Sequence, residues 1–271
     1  MIKLENTVLP SADQWKAIIF GARNPLNSWD RSDSFCKPST ENCCGCHDYN
    51  KCAYIFESTG KPYRGDIGDN DLDLMIRLRK AGTDHRKFMR MITVYVDITA
   101  PLYWWKEFDT YKVGTVANSC STMHKIAAKE FTLDDFSHEH LMNLADYEEA
   151  PCLEEDFPAF EEKDGESYFW TPIDILIHTI GGLNFYRQRY LNTKTKPMKE
   201  EAKRSAIMKK YWWQMIQLLP SSYNQKRTVM LNYEVLANIY KSRRNHKLNE
   251  WHDFCTWIES LSYSELITGD K

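Results

Sequence analysis

The segment from Asp97 to Ile126, DITAPLYWWKEFDTYKVGTVANSCSTMHKI, predicts the end of a strand, a helix and a polar loop in direct succession. Residues 91–98 alternate apolar and polar side chains, which is typical of a strand with one face on the core. Pro101 then stands near the first position of a helix, where its fixed φ is favourable. We expect Trp104 and Trp105 of that helix to pack in the core or at a subunit interface.

Long helices follow in the second half of the chain. One opens at Thr171-Pro172 with a potential break at Gly181-Gly182, and another runs from about Glu201 to just before Pro220. The last long helix is expected over about residues 229–243. The combination predicts an α/β fold of the α+β type, with a central sheet flanked by long helices, in a single domain of residues 1–271.

The composition limits the class of protein. The chain has 271 residues and a net charge of −3, which does not support a general nucleic-acid binder. It has no run of about 18 apolar residues that could cross a membrane, and its N-terminal residues lack the apolar stretch of a secretion signal. Eight cysteines in such a chain indicate a reducing compartment, and we expect a cytoplasmic protein.

Five of the cysteines fall in a short segment that we interpret as an insertion, residues 35–66. A tetrahedral zinc site needs four thiolate or imidazole ligands brought together by short spacings. Cys43 and Cys46 supply a Cys-x-x-Cys pair, and Cys36 and Cys52 complete the predicted set, with His47 as an alternative ligand. Free thiols without a metal and an iron–sulfur cluster are the other interpretations.

A second unusual region covers residues 131–170 and is strongly acidic between Glu148 and Glu166. Like charges in a row favour water over a core, so we expect a variable, solvated loop there.

Arg243 ends a row of apolar residues on the last long helix. Leu231, Val235 and Ile239 recur every four residues, and Arg243 is the next member of that row. The guanidinium should therefore point inward, where it needs an anionic or carbonyl partner. That partner is either a ligand or a carboxylate of the protein itself.

The first half of a family resemblance lies within residues 98–124. Flavin-dependent thymidylate synthases carry a strand, a helix opened by proline, an Arg-His-Arg signature and an Asn-Glu-x-Ser-x-Arg-Tyr segment. Ile98 to Phe108 resembles the approach to the signature, and Thr110-Tyr111-Lys112 stands in its place. Asn118 to His124, NSCSTMH, resembles the second segment if one residue is inserted.

The second half lies near the C-terminus, where the family has Leu-Pro and then a helix with the pattern Asn-x-x-x-Leu-x-Asn-x-x-x-x-Arg. Leu219-Pro220 matches the first of these. The helix pattern matches at the same spacing through Asn232, Leu236, Asn238 and Arg243. The chain is therefore similar to this family, and its fold would be the thymidylate-synthase-complementing type.

The resemblance implies a flavoprotein of nucleotide biosynthesis, a methyltransferase that acts on dUMP. Methylenetetrahydrofolate would supply the carbon and reduced FAD the hydride. Arg243 would bind the pyrimidine and polarise it for attack at C5. The implied flavin residues are Lys112, Asn232 and Asn238, and the other implied substrate residues are Glu107, Ser121 and His124. The family is usually a homotetramer with sites shared between subunits.

The chain departs from the family pattern at several of these positions. Lys112 is the only basic residue of the three at the signature. Glu107 replaces a usual glutamine, Ser119 a usual glutamate, and Met123 an arginine expected at the nucleotide phosphate.

Cys120 suggests different chemistry, because without the inserted residue it takes the position of the family serine. A thiolate that attacks C6 of a pyrimidine activates C5 directly, and His124 or Lys112 could lower its pKa. Cys120 would then be a nucleophile in methylation or hydroxymethylation of a nucleotide. The alternative is a small, buried side chain without chemistry.

Two further interpretations remain open. The chain could be a non-catalytic relative that binds a nucleotide or a metal, as the altered signature and the cysteine cluster suggest. A zinc-containing nucleic-acid binder is the third, but the net negative charge argues against it.

Overall fold

The computed structural model describes residues 2–34, 67–143, 160–163, 166–197 and 200–269. The predicted cysteine-rich insertion, with the candidate zinc ligands Cys36, Cys43, Cys46 and Cys52, lies outside these residues. Within the described ranges, no group of three or more His, Cys, Asp or Glu side chains is arranged to hold a metal ion. Nor does any described helix combine the length and apolar character needed to cross a membrane.

The described elements follow the chain in a mixed order of strands and helices. They are β1 (Lys3–Val8), α1 (Ala12–Arg23), α2 (Asp69–Lys80), β2 (Thr93–Pro101), α3 (Leu102–Phe108), β3 (Val116–Ser119), α4 (Thr122–Lys125), β4 (Phe160–Lys163), β5 (Glu166–Phe169), α5 (Pro172–Thr195), α6 (Glu201–Leu218), β6 (Asn224–Asn232), α7 (Tyr233–Arg243), α8 (Asn249–Glu259) and α9 (Glu265–Thr268). Short 3-10 turns cover Asn24–Leu26, Trp29–Arg31, Lys87–Arg90 and Leu133–Asp135.

The main sheet is antiparallel and has four strands in the order β1-β2-β6-β3. Strands β2 and β6 are the two central strands of the sheet. Buried and more exposed residues alternate along β2 and in the second half of β6, and the buried ones contribute to the core. On β2 the buried residues are Val94, Val96, Ile98, Ala100 and Pro101. The predicted α/β fold of the α+β type is confirmed.

By its internal contacts the chain divides into two compact units. The first, here called the sheet unit, comprises Ile2–Ile98, Phe108–Asn118 and Arg227–Lys271. The second, the hairpin unit, comprises Thr99–Glu107 and Ser119–Lys226 and contains the pair α5 and α6. The single-domain organisation stays a prediction.

Each unit has its own buried apolar residues. In the sheet unit, large side chains of the C-terminal helices are fully buried, among them Tyr233, Trp251 and Phe254. In the hairpin unit, helices α5 and α6 contribute Leu176, Leu183 and Met215 to a cluster completed by Ile126, Phe131 and Phe136. The burial of Trp104 and Trp105 confirms that both indoles are core residues.

Helix α5 differs from its prediction. Its start is as expected, because Thr171 and Asp174 form a capping box and Pro172 stands in the first turn. The potential break at Gly181-Gly182 is wrong, since the helix continues to Thr195. A glycine removes neither the backbone N–H nor the hydrogen bond, so it weakens a helix without ending it.

Three boundaries are also corrected. Pro101 is the last residue of β2 and the helix begins at Leu102. The predicted helix over 229–243 is a strand up to Asn232, and only Tyr233–Arg243 is helical. Part of the predicted acidic loop is an antiparallel hairpin in which Phe160 pairs with Phe169.

Candidate functional site

Arg243 is half-buried at the end of α7 and points toward two aromatic rings of the sheet unit. Its Nε donates a hydrogen bond to the Tyr111 hydroxyl at 2.9 Å. The guanidinium carbon lies 4.9 Å from the centre of the Trp251 ring and 5.7 Å from that of Tyr111. The inward direction predicted for Arg243 is confirmed, although Leu231, the first residue of the predicted row, lies on β6. The partners of the guanidinium include the Tyr111 hydroxyl and the rings of Tyr111 and Trp251.

The rings around Arg243 are fixed by their own packing. Trp251 is 0% exposed. It meets Tyr111 edge to face at 6.2 Å and Phe254 at 5.8 Å between ring centres. Edge-to-face contacts at this spacing hold ring orientation. The guanidinium is therefore held in one place before any ligand binds.

Tyr111 is a site residue that the sequence did not reveal. It is the middle residue of Thr110-Tyr111-Lys112, the segment that stands in place of the family signature. It lies 132 positions from Arg243 along the chain, and no local pattern connects the two. Lys112, the next residue, is exposed.

Asn232 fastens the loop after Lys112 to the start of α7. Its Oδ1 accepts a hydrogen bond from the Val235 N–H at 3.0 Å and so caps the helix. Its Nδ2 donates to the Gly114 carbonyl at 3.5 Å. Gly114 has φ of +79°, and a Cβ there would lie 2.8 Å from Nδ2 of Asn232. The oxygen of Asn232 is thus committed to the fold.

Asn238 lies on another face of α7 and is exposed. It borders a cavity of about 270 Å³ that Arg243 does not line. The basic side chains at this cavity are Arg79, Arg86, Lys241 and Arg244. We call it the cationic cavity.

The remaining predicted residues lie in the hairpin unit around the end of β3. Cys120 is a free, exposed thiol. Its N–H donates to the Lys226 carbonyl at 2.9 Å. Its carbonyl accepts from Nε2 of Gln225 at 3.1 Å, which also reaches Oγ1 of Thr122 at 2.9 Å. The backbone of Cys120 is therefore held on both sides while its side chain faces water, which contradicts the buried interpretation of this residue.

Ser121 begins the short helix α4. Its Oγ accepts a hydrogen bond from the His124 N–H at 3.3 Å, and both side chains are exposed. Nε1 of Trp212 donates to the Met123 carbonyl at 2.8 Å and fixes the other side of this turn. Glu107, on α3, is half-buried. Cys120, Ser121 and His124 are thus consecutive parts of one anchored turn.

Near this turn, the phenol of Tyr223 has a pKa above its ordinary value. Burial raises the pKa of its phenol, and the Asp135 carboxylate and the Cys120 thiolate act in the same direction, while Lys129 opposes them. The phenol therefore stays protonated at neutral pH and can donate a hydrogen bond.

The described structure thus brings the candidate residues into two groups. Arg243 lies with Tyr111 and Trp251, while Asn232 and Asn238 occupy other positions on the same helix. Cys120, Ser121 and His124 form the second group, in the hairpin unit.

Known proteins with this fold are found among solved structures. Two structures of the flavin-dependent thymidylate synthase X of Helicobacter pylori, both with FAD and dUMP, superimpose with a TM-score of 0.53. Each is 13% identical to this chain, and the match covers 99% of this chain and 97% and 98% of theirs. No protein-family model matches the chain. No curated protein sequence matches it either. At this identity the likeness shows the fold alone, which is the thymidylate synthase X fold.

Proposed function

We propose that this protein transfers a one-carbon unit to C5 of a pyrimidine nucleotide, with dUMP as substrate and methylenetetrahydrofolate as carbon donor. The observation that carries the proposal is the fold likeness over 99% of the chain to enzymes solved with FAD and dUMP. The position of Arg243 supports it, since a held guanidinium suits a pyrimidine carbonyl.

In this proposal Arg243 donates hydrogen bonds to the pyrimidine ring and stabilises the polarised form in which C5 is electron-rich enough to attack the carbon donor. Ser121 and His124 bind the nucleotide phosphate, and Glu107 contacts the substrate. Because Ser121 Oγ already accepts the His124 N–H, its hydroxyl proton is directed away from that bond and can serve the phosphate.

The flavin residues fit in part. Lys112 and Asn238 are exposed, and Asn238 borders the cationic cavity, which suits a phosphate-bearing cofactor. Asn232 has only its Nδ2 group to offer, because its oxygen caps α7. FAD, when bound, would supply the hydride that converts the transferred carbon to a methyl group. We also propose a cytoplasmic homotetramer that contributes site residues from more than one subunit.

The test is dUMP binding by titration calorimetry, followed by tritium release from dUMP labelled at C5 in the presence of methylenetetrahydrofolate, FAD and a reductant. We expect dUMP to bind and Arg243→Lys to lose at least about ten-fold in affinity, because an ammonium cannot reproduce a guanidinium fork. The control is Arg31→Lys, which makes the same substitution on the N-terminal 3-10 turn Trp29–Arg31, distant from Arg243 in the chain. If wild-type protein neither binds dUMP nor releases tritium, the proposed function is wrong.

A second candidate function rests on the exposure of Cys120. Here its thiolate adds to C6, and C5 attacks the methylene carbon of the folate. C5 then loses its proton and tetrahydrofolate leaves as its bond to the methylene carbon breaks, which gives an exocyclic methylene group at C5. Water adds to this methylene group, and elimination of the Cys120 thiolate then breaks the S–C6 bond and gives a hydroxymethyl product without any redox step. Mass spectrometry should then detect a nucleotide adduct on Cys120, and Cys120→Ser should abolish turnover. Full turnover of Cys120→Ser would exclude this mechanism.

A further inference from the structure

The cationic cavity of the sheet unit has a strongly positive lining. Its charged lining residues are Arg79, Arg86, Lys241 and Arg244, and no acidic residue lines it in the described part of the chain. The whole chain carries a net charge of −3, so the local charge at this cavity is opposite in sign to that of the chain. Cations gathered at one cavity repel one another unless an anion lies between them.

Arg79 is placed by the backbone of α9. Its Nε donates to the Leu266 carbonyl and its Nη2 to the Ile267 carbonyl, both at 2.8 Å. Gly269 leaves room for this guanidinium, because a Cβ there would overlap it. Carbonyl groups hold a guanidinium without cancelling its charge, so these two bonds set its position and leave its field intact.

Arg86 is placed by Glu234 of helix α7. Its Nε lies 3.3 Å from Oε1 of Glu234, and Arg90 hydrogen-bonds the same carboxylate. The hydrogen bond from Arg90 holds the pKa of Glu234 below its ordinary value despite its burial. Arg86 and Arg90 thus share the single carboxylate of Glu234, so the three side chains together keep a net positive charge.

Lys241, in the last turn of α7, and Arg244, which directly follows the helix, complete the charged lining. Both side chains are exposed. Neither has an ion-pair partner among the residues that the structure describes. Glu259, which lines another depression together with Arg244, accepts a hydrogen bond from the Tyr240 hydroxyl at 2.7 Å.

The size of the cavity indicates what it can hold. Pockets for drug-sized ligands measure about 300–1,000 Å³. A volume of about 270 Å³ is below that range. It accommodates a phosphate or diphosphate group with its hydration and excludes an entire dinucleotide. The amide of Asn238 adds a neutral donor to the charged ones.

We propose that the cationic cavity is a binding site for the diphosphate group of a phosphate-bearing ligand. This site is additional to the nucleotide site proposed around Arg243. Binding of a diphosphate does not depend on the proposed reaction, whereas FAD as its source rests on the proposed function. The diphosphate could come from a dinucleotide such as FAD or from a free polyphosphate, and the two sources share the same chemistry.

The test uses inorganic pyrophosphate with the full-length protein, in buffers matched in ionic strength with sodium chloride. We expect wild-type protein to bind pyrophosphate and to gain thermal stability. Lys241→Ala/Arg244→Ala should weaken that binding at least about ten-fold, because two charge-assisted contacts are lost. The matched control is Lys203→Ala/Lys210→Ala, which removes two exposed charges from α6 and should leave the affinity within about two-fold.

Competition then identifies the source of the diphosphate. If FAD displaces pyrophosphate and the cavity variant weakens both, the ligand is a dinucleotide; if FAD does not compete, the source is a free polyphosphate. Equal pyrophosphate affinity in wild type and cavity variant, or no binding beyond that of the chloride control, would overturn the proposal. Arg243→Lys tests the nucleotide site separately, since Arg243 does not line this cavity.

Discussion

The Nε of Arg243 donates a hydrogen bond to the Tyr111 hydroxyl at 2.9 Å, although the two residues lie 132 positions apart. Tyr111 occupies the middle of the segment that differs from the Arg-His-Arg signature. Tyr111 therefore has a defined role in the sheet unit: it orients the guanidinium that is proposed to bind the pyrimidine.

Tyr111→Phe should weaken dUMP binding by about three- to ten-fold, because Arg243 loses the acceptor that holds its Nε. The ring stays, so the contact with Trp251 is kept. Titration calorimetry with dUMP measures the effect, and Tyr95→Phe is the control because Tyr95 is an exposed phenol on β2. An unchanged dUMP affinity in Tyr111→Phe would mean that the hydroxyl does not position Arg243 for this ligand.

Asp71 supports the N-terminal part of the sheet unit through a buried network. It pairs with Arg23, and the two side chains are 1% and 4% exposed. Its Oδ2 also accepts from the Ser32 hydroxyl at 2.7 Å and the Ser34 N–H at 3.1 Å. Burial alone would raise the pKa of Asp71, but the hydrogen bonds from Ser34, Ser32 and Arg23 outweigh it and lower the pKa.

Asp71→Asn should reduce the free energy of unfolding at pH 7 by about 3–5 kcal/mol, since it leaves the Arg23 guanidinium buried without its charge partner. A carboxyl whose native pKa is lowered stabilises the fold above its unfolded pKa of about 3.9 and loses that contribution as the pH falls through the native value. The stability difference between wild type and Asp71→Asn should therefore shrink below about pH 4.

Urea unfolding between about pH 3 and pH 7 measures this difference, because this range covers the unfolded pKa of about 3.9 and neutral pH. Asp73→Asn is the control, because Asp73 is 66% exposed in its pair with Arg77 and should cost at most about 1 kcal/mol. A difference that stays constant with pH would show that the charge of Asp71 is not what stabilises the fold.

The two described cysteines should differ in reactivity. Cys120 is exposed, whereas burial raises the pKa of Cys255 to about 11, with a smaller contribution from Glu259. Only the thiolate reacts, so brief treatment of the native protein with iodoacetamide at about pH 8 should modify Cys120 and spare Cys255. Peptide mass mapping gives the extent at each site, and unfolded protein, in which both react, is the control. Modification of Cys255 at the rate of Cys120 would contradict the burial of that thiol.

The sequence was sufficient where one local pattern has one physical explanation. The alternation from Ile92 to Ile98 predicts a half-buried strand, and Val235 and Ile239, the members of the row that are helical, are enough to imply an inward guanidinium at Arg243. The boundary at Asn232 was missed because the preceding apolar residues, Val229 to Leu231, suit a helix and a strand equally. Asn232 itself carried the missing signal, since asparagine is a preferred N-cap residue.

The partners of the site side chains were beyond the reach of the sequence. Tyr111 and Trp251 meet Arg243 only through the folding of distant segments, and neither has a spacing that indicates the contact. The cationic cavity has the same origin, since Arg79 and Arg86 come from segments far from α7 in the chain.

Gly114→Ala should destabilise the protein for two separable reasons. The residue has φ of +79°, which costs an alanine about 1 kcal/mol. Its new Cβ would also lie 2.8 Å from Nδ2 of Asn232, and that amide cannot retreat without breaking the cap of α7. Loss of the cap adds about 1 kcal/mol, so we expect about 2 kcal/mol in total from urea unfolding.

Gly82→Ala separates the two contributions. Gly82 has φ of +105°, and no atom lies within 4 Å of the position that an alanine methyl group would take, so only the backbone cost applies. The further variant Asn232→Ala removes the cap and the closest obstacle, and leaves Val235 Cγ2 at 3.1 Å from the new Cβ. Adding Gly114→Ala to this variant should therefore cost about 1 kcal/mol less than adding it to the wild type. If Gly114→Ala costs the same with Asn232 present or absent, the loop and the start of α7 are not coupled through this amide. A coupling of about 1 kcal/mol would instead show that Asn232 ties the loop after Lys112 to the helix that carries Arg243.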